Sequence, residues 1–207
     1  MMGKKNWKIQ KQNKGFTLVE MVITVSIFAI LLGILVPSLN SVLGFRVQRA
    51  SNSIGSALDK TRTEAMSRLV GEMKLEWTSD GYYISYYLDR GKVSDKSNVQ
   101  EDQPEQIAPA GTRISYMDSN GQNHNLWEEG EHSLILTYNR ATGGFLPIQS
   151  RVWEQEDILA VLKEGKDIPL DRDEKLPYCT SITVRGGGRT RIITLNKDTG
   201  KYEITAG

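Results

Sequence analysis

The sequence predicts an α+β protein in which one long N-terminal helix carries a β-rich head. The first observation is an almost wholly apolar run over residues 16–36, in which Glu20 is the only charge. The second is an amphipathic pattern that follows this run and continues to about residue 70. The third is a change after Gly71 to β-rich runs between turn residues, which predicts roughly seven to nine strands. Such strands form a sandwich or curved antiparallel sheets that pack against the helix.

The segment before the apolar run, residues 1–15, is a basic leader. All of its charges are lysines: Lys4, Lys5, Lys8, Lys11 and Lys14. The whole chain has 26 basic residues and 25 acids, so residues 16–207 keep 21 basic residues against 25 acids, a net charge of −4. Basic segments beside an apolar span stay in the cytoplasm. We therefore expect a single-pass protein of the cytoplasmic membrane with its head outside.

The apolar run is long enough to cross a membrane. Twenty-one helical residues extend about 31 Å, and the hydrocarbon core of a bilayer is about 30 Å thick. A secretory signal peptide would show a cleavage site with small residues after its apolar region, and none follows Val36. A carboxylate such as Glu20 is costly at membrane depth unless it is paired, which marks it as functional. The alternative is an acid near the interface of an ordinary signal anchor.

The string Lys14-Gly15-Phe16-Thr17-Leu18-Val19-Glu20 resembles the processing site of type IV pilins and of the pseudopilins of type II secretion and competence systems. The resemblance implies that a prepilin peptidase cleaves between Gly15 and Phe16 and methylates the new N-terminal Phe16. It also implies that the Phe16 amine of one subunit pairs with Glu20 of a neighbouring pilin in a filament, which neutralises both charges. The implied partners are therefore the peptidase, other pilins and the membrane.

Pro37 stands where this family commonly carries a proline. Inside a helix, proline removes a hydrogen bond and favours a bend or local opening. The alternative is that Pro37 ends the membrane helix, but helical spacing resumes after it, so we expect the helix to continue. We therefore divide the chain into the leader, a transmembrane or filament-core helix (16–43), an amphipathic helix that packs on the head (44–70) and the head (71–207).

The amphipathic helix is defined by apolar residues at helical spacing, Val47, Ile54, Leu58, Ala65 and Leu69. We expect Gly71 to stop it. The segment 61–65, Thr-Arg-Thr-Glu-Ala, resembles the helix end of GspH/FimT-like minor pseudopilins. This implies a minor subunit of a type IV pilus, a competence pilus or a secretion pseudopilus.

Turn residues divide the head into short elements. We expect strands over 73–78, 81–88, 112–117, 133–139, 144–149, 180–185, 190–196 and 201–205, a short helix over 154–164, and loops over 94–111 and 167–177. The aromatic residues of the head are interpreted as core and sheet-surface residues rather than as a ligand platform. They are Trp77, Tyr82, Tyr83, Tyr86, Tyr87, Trp127 and Trp153.

The sequence contains no recognisable catalytic constellation. His124 and His132 lie in or near predicted loops without metal-ligand spacing, and neither they nor Cys179 belong to a nucleophile motif. We therefore expect a protein that is not an enzyme and uses no cofactor or metal, rather than a signal-anchored enzyme. A lone cysteine excludes an internal disulfide. We expect Cys179 to be buried and inert, the alternative being an exposed thiol or an intermolecular bridge.

Two head segments carry alternative binding hypotheses. The oxygens of residues 196–200 resemble a calcium loop, but calcium requires six to eight oxygen ligands, so we favour a tight hairpin turn. The string Gly188-Arg189-Thr190-Arg191 resembles the motif with which FimT-like minor pilins contact DNA. With Arg185, these arginines form a candidate DNA-binding site at a competence pilus tip. The alternatives are a glycine-rich bend with the arginines on its solvent face, or arginines that pair with acids of a neighbouring subunit.

Overall fold

The computed structural model describes residues 15–89, 100–101, 103–128, 130, 132–164 and 176–207. These belong to two compact units, Met1–Leu39 and Asn40–Gly207. Residues 1–14 of the predicted leader lie outside the described residues, as does most of the predicted loop over 167–177.

The elements follow the order that the sequence predicts, with one long helix first. In chain order they are α1 (Leu18–Ser67), β1 (Val70–Thr78), β2 (Gly81–Asp89), β3 (Gln100–Glu101), β4 (Glu105–Pro109), β5 (Arg113–Asp118), β6 (Asn123–Asn125), β7 (Ser133–Thr137), α2 (Gln155–Glu164), β8 (Cys179–Gly186), β9 (Arg189–Leu195) and β10 (Tyr202–Ala206). The predicted α+β fold is confirmed.

The helix α1 runs through Pro37 without interruption, so the predicted continuation is confirmed. Its first part, Leu18–Leu35, has a mean hydropathy of 2.6 and no buried residue, and by length and composition it can cross a membrane. The prediction that Gly71 stops the helix is wrong, because α1 ends at Ser67 and Gly71 belongs to β1. Gly71 serves close packing instead, since a Cβ there would lie 2.4 Å from the backbone nitrogen of Ala65.

The strands form two five-stranded antiparallel sheets. The first has the order β3-β2-β1-β7, with β4 also paired to β2, and the second has the order β10-β9-β8-β5-β6. Both sheets and α1 contribute to one core, in which the helix buries Val47, Ala50, Ile54, Ala57, Leu58 and Ala65. The two sheets are also joined by a hydrogen bond, which the backbone N–H of Ile114 donates to the buried Tyr82 hydroxyl at 3.2 Å.

Two predictions for the head are wrong. The expected loop over 94–111 contains β3 and β4, because its backbone pairs with the edge of β2 and Ile107 and Ala108 are buried there. The expected strand over 144–149 makes only isolated bridges, Tyr138↔Phe145 and Ile135↔Gln149. Pro147 lies between these bridges and has no N–H to donate, which disfavours a continuous ladder.

The strand β6 has no predicted counterpart, and the described residues contain ten strands rather than the expected seven to nine. The remaining elements lie close to their predicted positions, and the 79–80 turn joins β1 to β2 as expected. The helix α2 packs on a small second core of Val70, Trp153 and Ile158. Aromatic residues of the head occupy the core or its margin: Tyr82, Tyr86 and Trp153 are buried, and Trp77, Tyr83, Tyr87 and Trp127 are half-buried. Their predicted packing role is thereby confirmed.

Candidate processing and assembly site

The Gly15–Phe16 peptide bond lies outside the helix. Residues 15–17 have no regular secondary structure, and α1 begins at Leu18. Phe16 is 83% exposed, and no atom lies within 4 Å of a Cβ placed on Gly15. A protease that must bind an extended segment therefore meets no structural obstacle at this bond within the described residues.

The first turn of α1 is closed by Thr17 and Glu20. The Thr17 N–H and hydroxyl donate to Glu20 Oε2 at 2.8 and 2.9 Å, and the Glu20 N–H donates back to Thr17 Oγ1 at 3.2 Å. This reciprocal pattern is a capping box, which satisfies N–H groups that have no partner inside the helix. The Thr-x-x-Glu spacing is the sequence signal that could have predicted it.

The polar side chains inside the apolar segment are satisfied within the helix. Ser26 Oγ donates to the Val22 carbonyl at 2.7 Å, and Thr24 Oγ1 donates to the Glu20 carbonyl. Such bonds to the preceding turn hide the hydroxyl groups from an apolar environment. The segment is therefore suited to a bilayer or to a bundle of similar helices.

These features define a class: a protein with an apolar N-terminal helix that is long enough to cross a membrane, with a capped start and an accessible bond just before the cap. Residues 10–36 match the family described as the prokaryotic N-terminal methylation motif. The match supports a type IV pilin-like protein that is processed by prepilin peptidase, assembles with other pilins and is anchored in the membrane. No curated protein and no solved structure matches the chain.

The matched segment includes Gly15, Phe16 and Glu20 and ends one residue before Pro37. The roles of Glu20 and Pro37 in assembly remain predictions, as does the likeness of residues 61–65 to GspH/FimT-like subunits. The match covers the motif, and the β head has a fold that the motif itself does not specify.

The structure brings together two of the three candidate DNA-binding arginines. Arg189 and Arg191 are spaced by two residues from each other and from the buried Ile193 and Leu195, so they lie on the same face of β9, the face that packs on α1. Arg185 follows the buried Val184 in β8 and therefore points to the opposite face. DNA binding remains a prediction, and the three side chains do not share one face of the sheet.

A residue that sequence reasoning missed accompanies Arg185. Arg113 of β5 is directly opposite Arg185 in the sheet, and its guanidinium lies over the Trp127 ring, 5.0 Å from the ring centroid. Like charges on opposed positions repel each other, and the aromatic contact partly offsets this. The pairing depends on strand register, which the sequence pattern alone did not specify.

The candidate calcium segment is the hairpin turn between β9 and β10, as favoured from the sequence. Asn196 Oδ1 accepts hydrogen bonds from the N–H groups of Asp198 and Thr199, at 3.2 and 3.0 Å. The Gly200 N–H then closes the turn on the Asn196 carbonyl at 2.9 Å. The side-chain oxygen of Asn196 is thus committed to the backbone.

A second turn has the same sequence pattern and the same bonds. It is Asn139-Arg140-Ala141-Thr142-Gly143, in which Asn139 Oδ1 accepts from residues 141 and 142 at 2.9 and 3.0 Å. The two Asn-x-x-Thr-Gly turns are joined by the Phe145 N–H, which donates to the Lys197 carbonyl at 2.7 Å. Arg62 of α1 donates to the Gly143 carbonyl at 3.1 Å. We call this arrangement the paired turns, and it ties the helix to the end of the second sheet.

The remaining candidate residues have structural surroundings. His124 lies in β6 rather than in a loop; its ring stacks on Tyr116, and its Nε2 is 3.2 Å from Asp118 Oδ2. Burial opposes ionisation of Asp118, but hydrogen bonds from Gln122, His124 and Asn120 lower its pKa. Cys179 is buried as predicted, and burial raises the pKa of its thiol, which disfavours the reactive thiolate.

Proposed function

We propose that the protein is a minor pilin or pseudopilin, a non-enzymatic structural subunit of a type IV pilus, a competence pilus or a secretion pseudopilus. A prepilin peptidase cleaves it between Gly15 and Phe16 and methylates Phe16. The mature subunit remains in the membrane by α1 until it joins a filament. There the Phe16 amine of one subunit pairs with Glu20 of another.

The observation that carries this proposal is the position of the candidate bond. It lies in an irregular segment directly before the Thr17–Glu20 capping box, inside the matched methylation motif. Cleavage there removes the leader without disturbing the first helical hydrogen bond, which the Met21 N–H donates to the Thr17 carbonyl at 3.1 Å. An ordinary signal anchor has no need for an accessible bond at this place.

The head supports a structural role rather than a catalytic one. Its polar clusters, such as the paired turns and the Asp118–His124 contact, hold turns and strands together. The fully exposed apolar surface of α1 requires a lipid or protein neighbour. A subunit that contributes its helix to a filament core provides that neighbour.

The proposal is tested by intact mass and N-terminal peptide mapping of the protein recovered from membranes. In cells with an active prepilin peptidase we expect a chain that starts at N-methylated Phe16. In matched cells with an inactive peptidase we expect the full chain from Met1. The same intact chain in both cell lines would refute the proposal.

The role of Glu20 is tested separately by Glu20→Gln. We expect this variant to be cleaved and methylated normally, because the scissile bond is unchanged, but to be depleted from sheared filaments. Thr24→Ala serves as the control, since it also removes a polar group from the first turns of α1. Normal incorporation of E20Q into filaments would exclude the intersubunit pair while leaving the cleavage proposal intact.

A further inference from the structure

Four arginines flank α1 where it enters the head unit. Arg46 and Arg49 are exposed on the helix and line a groove with β4. On another side of the helix, Arg189 lies against Gly44: a Cβ on this glycine would be 2.5 Å from Arg189 Cδ. Arg191 follows on the same face of β9. We call these four residues the arginine collar.

The collar concentrates positive charge on a head that is acidic overall. No acid occurs between Glu20 and Asp59, or between Glu174 and Asp198, the two stretches that supply the collar. Among the ion pairs of the described residues, none involves a collar arginine. Glu105 borders the collar beside Arg49, which leaves the local charge positive.

An exposed aromatic residue accompanies these charges. Phe45 is 77% exposed and lines a groove with Arg49 and Tyr86. Aromatic and long cationic side chains together are typical of the water interface of a membrane. Arg46 follows Leu35, the last residue of the apolar segment, by only eleven positions. As helix this is about 17 Å of chain, and the apolar character extends partly into it.

We propose that the arginine collar and Phe45 bind the head to the bilayer surface through the phosphate groups of anionic phospholipids. The inference rests on the membrane anchoring in the proposed function. The planar guanidinium group donates two parallel hydrogen bonds to a phosphate. Basic residues that the chain keeps near a bilayer surface are attracted to anionic lipids within roughly one Debye length, about 8 Å at physiological salt.

The arrangement favours a lipid surface over a nucleic acid. A phosphodiester strand binds along a continuous positive groove with stacking side chains. Here α1 itself separates Arg46 and Arg49 from Arg189, while Arg185 and Arg113 lie on the opposite face of the second sheet. Charges on several sides of α1, eleven positions after the apolar segment in the sequence, suit a plane of headgroups.

The test uses the full chain in nanodiscs of phosphatidylcholine, with or without about one-third phosphatidylglycerol. Gln48→Cys carries an environment-sensitive fluorophore beside the collar, and labelling is selective because Cys179 is buried. We expect brighter, blue-shifted emission in the anionic discs and loss of this change at high salt. Arg46→Gln with Arg49→Gln should reduce docking on the order of tenfold, and Arg189→Gln with Arg191→Gln should act in the same direction.

The control is Arg140→Gln with Lys201→Gln, which removes two charges from exposed positions of the head outside the collar. Equal emission in both lipid compositions, or equal losses in collar and control variants, would overturn the proposal. So would a response to single-stranded DNA without a response to lipid, which would assign the collar to nucleic acid. Co-migration with the discs is measured independently: a chain that fails to insert contradicts the proposed function, whereas an inserted chain without lipid dependence contradicts only this inference.

Discussion

The close contact between the paired turns predicts that the stability of the head depends on Gly200. Gly200 has φ +64°, and a Cβ at this position would lie 1.9 Å from the Gly143 carbonyl oxygen of the other turn. Gly121 also has a positive φ, +81°, but no atom lies within 4 Å of its Cβ position. Gly200→Ala and Gly121→Ala therefore share the backbone strain and differ in the collision between turns.

The magnitude follows from these distances. A left-handed conformation costs a non-glycine residue about 1–2 kcal/mol, which applies to both variants. In Gly200→Ala the turns must also separate by about 1 Å, which weakens the hydrogen bond from Phe145 to Lys197 and strains the packing, at a further cost of about 2–4 kcal/mol. We expect Gly200→Ala to lower Tm by at least about 4 °C more than Gly121→Ala.

The assay is thermal unfolding of the full chain in detergent, followed by near-ultraviolet circular dichroism. This signal reports aromatic packing in the head and is insensitive to the apolar helix. Equal decreases in Tm would refute the reasoning, because they would leave backbone strain as the whole effect and show that the turns do not depend on close contact.

Three other predictions concern individual side chains. Thr17→Ala should destabilise the first turn of α1 by about 0.5–2 kcal/mol, seen as faster amide exchange there in micelles, whereas Thr24→Ala should leave the cap unchanged. Asp157 should stabilise α2 at neutral pH, because hydrogen bonds from Arg151 lower its pKa. This stabilisation is fully present above the pKa that the Asp157 carboxyl has in the unfolded chain, near 4, and is lost as the pH falls through its lower pKa in the folded protein. A difference in stability between the unmodified protein and Asp157→Asn that does not vary with pH would contradict this prediction. Cys179 should react with a thiol reagent only after unfolding, and rapid labelling of the native head would disprove its burial.

Apolar periodicity predicted the elements whose side chains determine their position. The buried stripe of α1 includes Val47, Ile54, Leu58 and Ala65, as its spacing indicated. The alternating apolar pattern of the strands near the C-terminus also predicted their positions. Its apolar residues are buried, among them Ile182, Val184, Ile193 and Leu195. In these segments local pattern and tertiary packing agree.

The missed elements depend on partners that are distant in sequence. The strands β3 and β4 form because the edge of β2 offers hydrogen-bonding groups, although residues 94–111 are polar and contain prolines. The opposition of Arg113 and Arg185 follows from the register of β5 and β8. Gly71 is ambiguous in the sequence, because a glycine suits a helix end and a close backbone contact equally well.

The candidate site also combines features that the local sequence predicts with features that depend on the fold. The leader, the apolar run and Glu20 are contiguous and could be recognised from residues alone. The capping box is also visible in the sequence, as the Thr-x-x-Glu spacing of Thr17 and Glu20. The division of the arginines between two faces required knowledge of which sheet face packs on α1.

The capping box has a consequence for subunits that are in the membrane and have not yet joined a filament. Glu20 already has an internal partner at the start of its own helix, so a single subunit does not present an unsatisfied acid to the lipid. Both Thr17 donors are neutral and bind the same oxygen, Oε2, so in the proposed filament an incoming amine supplies the opposite charge that the cap lacks. A subunit that leaves the filament can return Glu20 to Thr17 without refolding any part of the chain.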